Sequence, residues 1–100
     1  MLTFEESAKD KMLSAIVEKE VAITGTLPIR RAEMIDWIHA HGGYYHNGVR
    51  YLTNTLIVGE LPGFITRKLR RANELNVREE RIVILDGTEL FARNEENGDD

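Results

Sequence analysis

Apolar side chains recur along this chain in two periods, one helical and one of short continuous runs. Ala8, Met12, Ala15 and Ile16 stand at helical spacing, with Leu13 and Val17 beside them, which predicts a helix from about Phe4 to Lys19. Thr3 and Glu6 ahead of it have the spacing of a capping box. The apolar stripe of this helix needs a partner. Docking on the sheet of its own chain is the expectation, and a homodimer through the same helix is the alternative.

Val21-Ala-Ile-Thr24 is a short apolar run closed by Gly25, as in a buried strand. From Arg30 to His41, Met34, Ile35 and Ile38 share one helical face, and Gly42-Gly43 supplies the C-terminal stop. Tyr44–His46 and Thr55–Val58 read as two further strands. The Asn47-Gly48 pair between them is by local rules a hairpin signal, which would make those strands antiparallel. Pro62-Gly63 breaks the chain before a helix over about Thr66 to Asn76, with Ile65, Leu69, Ala72 and Leu75 inward. Arg81 to Leu85 is the clearest strand, and Asp86 to Arg93 leaves room for one short last helix. Strands alternating with helices predict an α/β domain with a mostly parallel sheet.

Charge changes this picture only once it is divided along the chain. The 100 residues carry a formal net charge of −4, which excludes a protein that coats nucleic acid indiscriminately. Residues 1–20 hold −2, residues 21–93 hold +2, and Asn94–Asp100 hold −4. The chain accordingly divides into an N-terminal helix (1–19), a functional body (20–93) and an acidic tail (94–100) expected to be disordered. No cysteine is present, so there is no disulfide, thiolate metal site or Cys nucleophile. With no signal peptide or membrane-length apolar run, a cytoplasmic protein is expected, nucleoid-associated if bacterial and nuclear if eukaryotic.

Enzyme chemistry finds little support. Gly59-Glu-Leu-Pro-Gly63 precedes a basic helix, but no Gly-Lys-Ser/Thr follows it, so it is no nucleotide-binding loop. His39 and His41 are roughly 200° apart around a helix and His46 lies in another element, so no metal site is expected. Ser7 and Ser14 sit in the first helix rather than in a nucleophile turn. The expectation is a protein without catalytic residues, metal or cofactor.

Residues 20 to 93 resemble a BRCT domain. The pieces that carry the likeness are Val21-Ala-Ile-Thr-Gly-Thr-Leu27, Gly42-Gly43, Asn54-Thr-Leu-Ile-Val-Gly59, Lys68-Leu-Arg-Arg-Ala-Asn-Glu-Leu-Asn-Val77 and Ile82-Val-Ile-Leu85, in that order. They are most similar to the C-terminal domain of bacterial NAD-dependent DNA ligases and the single BRCT domain of the replication factor C large subunit. The chain departs from the pattern in Leu90, where many members carry tryptophan, and in Asn76, where glycine is usual. The loop from Gly59 to Arg67 is also slightly longer than in the ligase type.

The resemblance implies a four-stranded parallel sheet in order 2-1-3-4 flanked by three helices, with the helix of residues 1–19 as an addition. It overrules the hairpin reading of Asn47-Gly48. It further implies a phosphate site at Thr24, Gly25 and Lys68, with Arg31 as a fourth member. Arg30, Arg50, Arg67, Arg70 and Arg71 are then candidates for nucleic-acid backbone contacts. The implied partner is a DNA end or nicked duplex. The alternatives are a phosphorylated protein of a repair or replication complex and a phosphate-independent docking or dimer module supported by Trp37, Tyr44, Tyr45 and Phe64. Complete ligase activity is not expected, since Ile84 stands where the Lys of a Lys-x-Asp-Gly motif would precede Asp86-Gly87.

Overall fold

The computed structural model describes residues 2–4 and 6–93, with side chains described from Asp10 to Leu90. The acidic tail, and the expectation of its disorder, lie outside the described residues. The elements are β1 (Leu2–Phe4), α1 (Glu6–Ile16), β2 (Glu20–Thr24), α2 (Arg31–Ala40), β3 (Tyr44–Tyr45), β4 (Thr55–Val58), α3 (Arg67–Glu79), β5 (Val83–Asp86) and β6 (Phe91–Arg93). Four strands form one sheet in the order β3-β2-β4-β5, every neighbouring pair parallel. In chain order within that sheet this is 2-1-3-4. Among the described residues no helix is long and apolar enough to cross a membrane.

The central strands read as continuous apolar runs because both faces of the sheet are covered. On one face Val21, Ile23, Ile57 and Leu85 pack with Met12, Ala15 and Ile16 of α1, Met34 and Ile38 of α2, and Leu90. On the other, Ala22 and Leu56 pack with Ala72 and Leu75 of α3 and with Ile82. Alternation along each strand thus sends its apolar residues into two separate cores. Asn47-Gly48 does not make a hairpin, because β3 and β4 lie on opposite sides of β2 and both run parallel to it.

Helix α1 belongs to the main core. Met12 and Ile16 are fully buried, and the buried Thr55 hydroxyl donates to the Ala15 carbonyl at 2.6 Å. Met12, Ala15 and Ile16 of the stripe therefore dock on the chain's own sheet, while Leu13 is half-buried and Val17 exposed. At the end of α2, Gly42 (φ 82°) takes the left-handed turn that ends the helix. A Cβ on Gly43 would come within 2.8 Å of both Ile16 and Ile38, so α1 and α2 close on a backbone with no side chain.

Two terminal expectations are corrected. No helix forms over Asp86 to Arg93. The Asp86 carboxylate accepts from the Thr88 amide (2.9 Å) and hydroxyl (2.6 Å), which holds a tight turn at Gly87-Thr88. The chain then continues as β6, which pairs antiparallel with β1, Phe91 opposite Phe4 and Arg93 opposite Leu2. Thr3, expected to cap a helix starting at Phe4, lies instead within β1 opposite Ala92, and α1 starts at Glu6. The sheet thus has three helices around it, α1 sharing a face with α2 and α3 alone on the other. The N-terminal helix completes the three layers.

Candidate phosphate site

Loops leaving β2 and β4 diverge at the carboxyl end of the sheet, one toward α2 on one face and one toward α3 on the other. In open parallel sheets such a divergence leaves a crevice where ligands bind. Thr24 is the last residue of β2 and Gly25 follows it at φ 80°. Their loop is laced to the one after β4, with Thr26 N–H donating to the Glu60 carbonyl at 2.9 Å and Glu60 N–H returning to Thr26 at 2.8 Å. A Cβ on Gly25 would stand 2.9 Å from the carbonyl oxygens of Gly59 and Glu60. Only glycine fits there, and Gly25 itself is half-buried.

Thr66 is the N-cap of α3, its hydroxyl accepting from the Leu69 amide at 3.3 Å. The Thr24 hydroxyl lies 2.7 Å from the same oxygen. One proton of this hydroxyl pair is used between them and the other is free to point outward. Lys68, in the first turn of α3, donates from Nζ to the Ile23 carbonyl at 2.8 Å. Arg31, at the start of α2, donates to that same carbonyl at 3.1 Å and to the Gly25 carbonyl at 3.1 Å.

Two cations therefore converge on one backbone oxygen from opposite faces of the sheet. Among the described residues neither has a carboxylate within 4 Å. Partial burial, and after it the Arg31 charge, holds the Lys68 ammonium below its ordinary pKa. Among the described residues the Gly25 N–H has no acceptor, and the first-turn amides of α3 at Arg67 and Lys68 have none within the helix. The positive end of the α3 dipole adds to the same spot. Two cations, a hydroxyl and first-turn amides thus meet at one place, with no ion pair to an acid among the described residues.

The sequence named Thr24, Gly25, Arg31 and Lys68, and the fold brings all four together. It missed Thr66, whose hydroxyl fixes Thr24; a threonine directly ahead of a basic helix turn was the available signal. Of the five arginines expected to contact a nucleic-acid backbone, Arg30 lines a cleft of about 290 Å³ with Gly25 and Arg31. Arg67 and Arg71 line another of about 410 Å³ with Lys68, and Arg70 is exposed on the same helix. Arg50 is not brought to the site. Its amide donates to the Thr53 hydroxyl, and that segment is held by Arg81 ahead of β5 and by Tyr51 against Glu79, at the opposite end of the sheet. Trp37 stacks on His41 and, with Tyr45, packs on the core, whereas Tyr44 and Phe64 are exposed. His46 pairs with Glu20, and among the described residues no cluster of acids and histidines is placed to hold a metal.

The chain is similar to DNA ligases. It is 37% identical over 79 residues to the DNA ligase of Prochlorococcus marinus, covering 74% of this chain and 11% of the ligase. It is 39% identical over 75 residues to that of Thermodesulfovibrio yellowstonii (75% of this chain, 10% of the ligase). With the ligase of a Roseiflexus species it shares 36% identity over 74 residues (73% of this chain, 10% of the ligase). The chain thus spans about a tenth of the length of these curated relatives. No protein-family model matches it, and no solved structure matches it significantly.

Proposed function

We propose that this chain is a non-catalytic recognition module of the BRCT type that holds a phosphate group, the 5′-phosphate of a DNA end or nick in replication or repair. The observation that carries the reading is the meeting of Lys68 and Arg31 on the Ile23 carbonyl beside free donors at Gly25 and the start of α3. Lys68, partly buried, and the exposed Arg31 repel one another, with no ion pair to an acid among the described residues, and an arriving dianion relieves that repulsion. The likeness to DNA ligases supports DNA as the source of the phosphate. No enzymatic step and no cofactor form part of the reading.

Magnitudes set the expected strength. Charge-assisted bonds contribute about 1.5–3 kcal/mol each, while association costs several kcal/mol or more. A single phosphate is therefore held at about micromolar affinity or weaker, and Arg30, Arg67, Arg70 and Arg71 add sequence-independent backbone contacts. Amide chemical shifts distinguish the sources. A 5′-phosphorylated DNA hairpin is expected to move Gly25, Thr66 and Lys68 at lower concentration than a phosphoserine peptide does. Stronger response to the peptide would transfer the site to a phosphorylated protein partner.

A further inference from the structure

We propose that the cleft beside Lys68 receives the nucleoside carrying the bound phosphate, so that the ligand is a phosphorylated nucleotide end and not any phosphoester. The inference rests on the phosphate reading above. The cleft, about 410 Å³, lies between Asn47, Gly48 and Val49 after β3 and Arg67, Lys68 and Arg71 on α3. Its volume falls within the range of small-molecule sites. Val49 is half-buried and packs on the α3-side core, as Leu69 does, which gives the cleft an apolar floor beneath a cationic rim.

A nucleotide end divides its chemistry the same way, with a flat, weakly polar ring on one side and a dianion a few ångströms off. Lys68 belongs to both halves of the protein surface, its ammonium at the anion site and its side chain lining the cleft. A group joined to a phosphate at Lys68 thus finds this concavity next to it. The smaller cleft across the site, formed by Gly25 and Arg31 themselves, is the anion pocket's own continuation. Arg67 and Arg71 offer guanidinium planes on which a base stacks. Among the described residues the Arg71 side chain pairs with Glu74 alone, at 3.9 Å, both side chains about half exposed, a contact weak enough to yield. A phosphoserine peptide presents an extended backbone at this distance and no ring.

Gly48 offers a clean obstruction, because a Cβ there meets nothing within 4 Å. The experiment measures binding of the full chain and of Gly48→Phe to two hairpins with an unpaired 5′-phosphorylated end, one ending in a nucleotide and one in an abasic sugar, beside an unphosphorylated control. The intact protein is expected to prefer the nucleotide end roughly tenfold. Gly48→Phe should lose that preference while keeping its affinity for the abasic phosphorylated end, and Arg71→Ala should lose part of it. Equal binding of both phosphorylated ends by the intact protein overturns this inference alone, as does an unchanged preference in Gly48→Phe. Equal binding of phosphorylated and unphosphorylated hairpins overturns the phosphate reading itself.

Discussion

The hydroxyls of Thr24 and Thr66 lie 2.7 Å apart, joining the end of β2 to the start of α3 across 42 residues of sequence. Neither residue alone makes an anion site. Joined, they fix where the first-turn amides of α3 stand relative to Gly25. Replacing Thr66 by Ala removes the cap on Leu69 and the partner of Thr24. Loss of such a cap costs about 0.5–2 kcal/mol of stability, read by chemical denaturation. Phosphate affinity should fall as well, and Thr66→Ser, which keeps the oxygen, should restore most of both.

The pH dependence of binding follows from Lys68. Burial first, and the Arg31 charge second, lower its pKa from the ordinary 10.5. Capture of phosphate needs the ammonium form, so affinity should decline as pH rises through that lowered value, earlier than for an exposed lysine. On the acid side a phosphomonoester loses its second charge below about pH 6. Titration of binding against pH should show both limbs, and Lys68→Arg should remove the alkaline one, since arginine stays charged. Stability runs in the opposite sense. In the window between the lowered folded value and 10.5 the unfolded chain holds the Lys68 proton and the folded chain has shed it, so this group makes stability rise with pH there.

Helix α1 is expected to behave as core. Ile16→Ala removes a fully buried side chain wedged between the sheet and Gly43 and should cost about 2–5 kcal/mol in denaturant unfolding. Because Met12 and Ile16 face the chain's own core, sedimentation should show no dimer that depends on either. A mutant that lost a dimer but kept its unfolding midpoint would contradict this placement.

Asn76 stands where BRCT domains, which this chain resembles, usually carry glycine. Its side chain donates to the Ile82 carbonyl at 2.9 Å and accepts from the Ile82 amide at 2.8 Å, clamping the end of α3 to the entry of β5. Asn76→Gly should destabilise this chain by about 1–3 kcal/mol, because both backbone groups of Ile82 lose their partner. Equilibrium unfolding of the two forms measures it.

What the sequence made legible was whatever burial on both sides imposes. Val21–Thr24 and Thr55–Val58 are continuous apolar runs and became the central strands, and Met34 with Ile38 marked the inner face of α2. The ends were not legible, because nothing local distinguishes a short helix from a strand whose partner lies at the far end of the chain. Phe91–Arg93 became a strand only because Leu2–Phe4 lies opposite. At the site, Gly25 and Lys68 came from the family likeness, while the convergence of Lys68 and Arg31 on one carbonyl is a tertiary fact. Arg50 failed for the same reason, since charge alone does not say to which end of a parallel sheet a loop returns.

Whether Thr24, Gly25, Arg31 and Lys68 hold a terminal phosphate is decided by fluorescence anisotropy with one DNA hairpin, prepared with and without its 5′-phosphate, measured for the intact chain and for Lys68→Glu. The intact protein is expected to bind the phosphorylated hairpin more tightly, and Lys68→Glu, with melting still cooperative, to lose that difference. Equal binding of the two hairpins by the intact protein, or a phosphate preference that survives Lys68→Glu, would rule the phosphate site out.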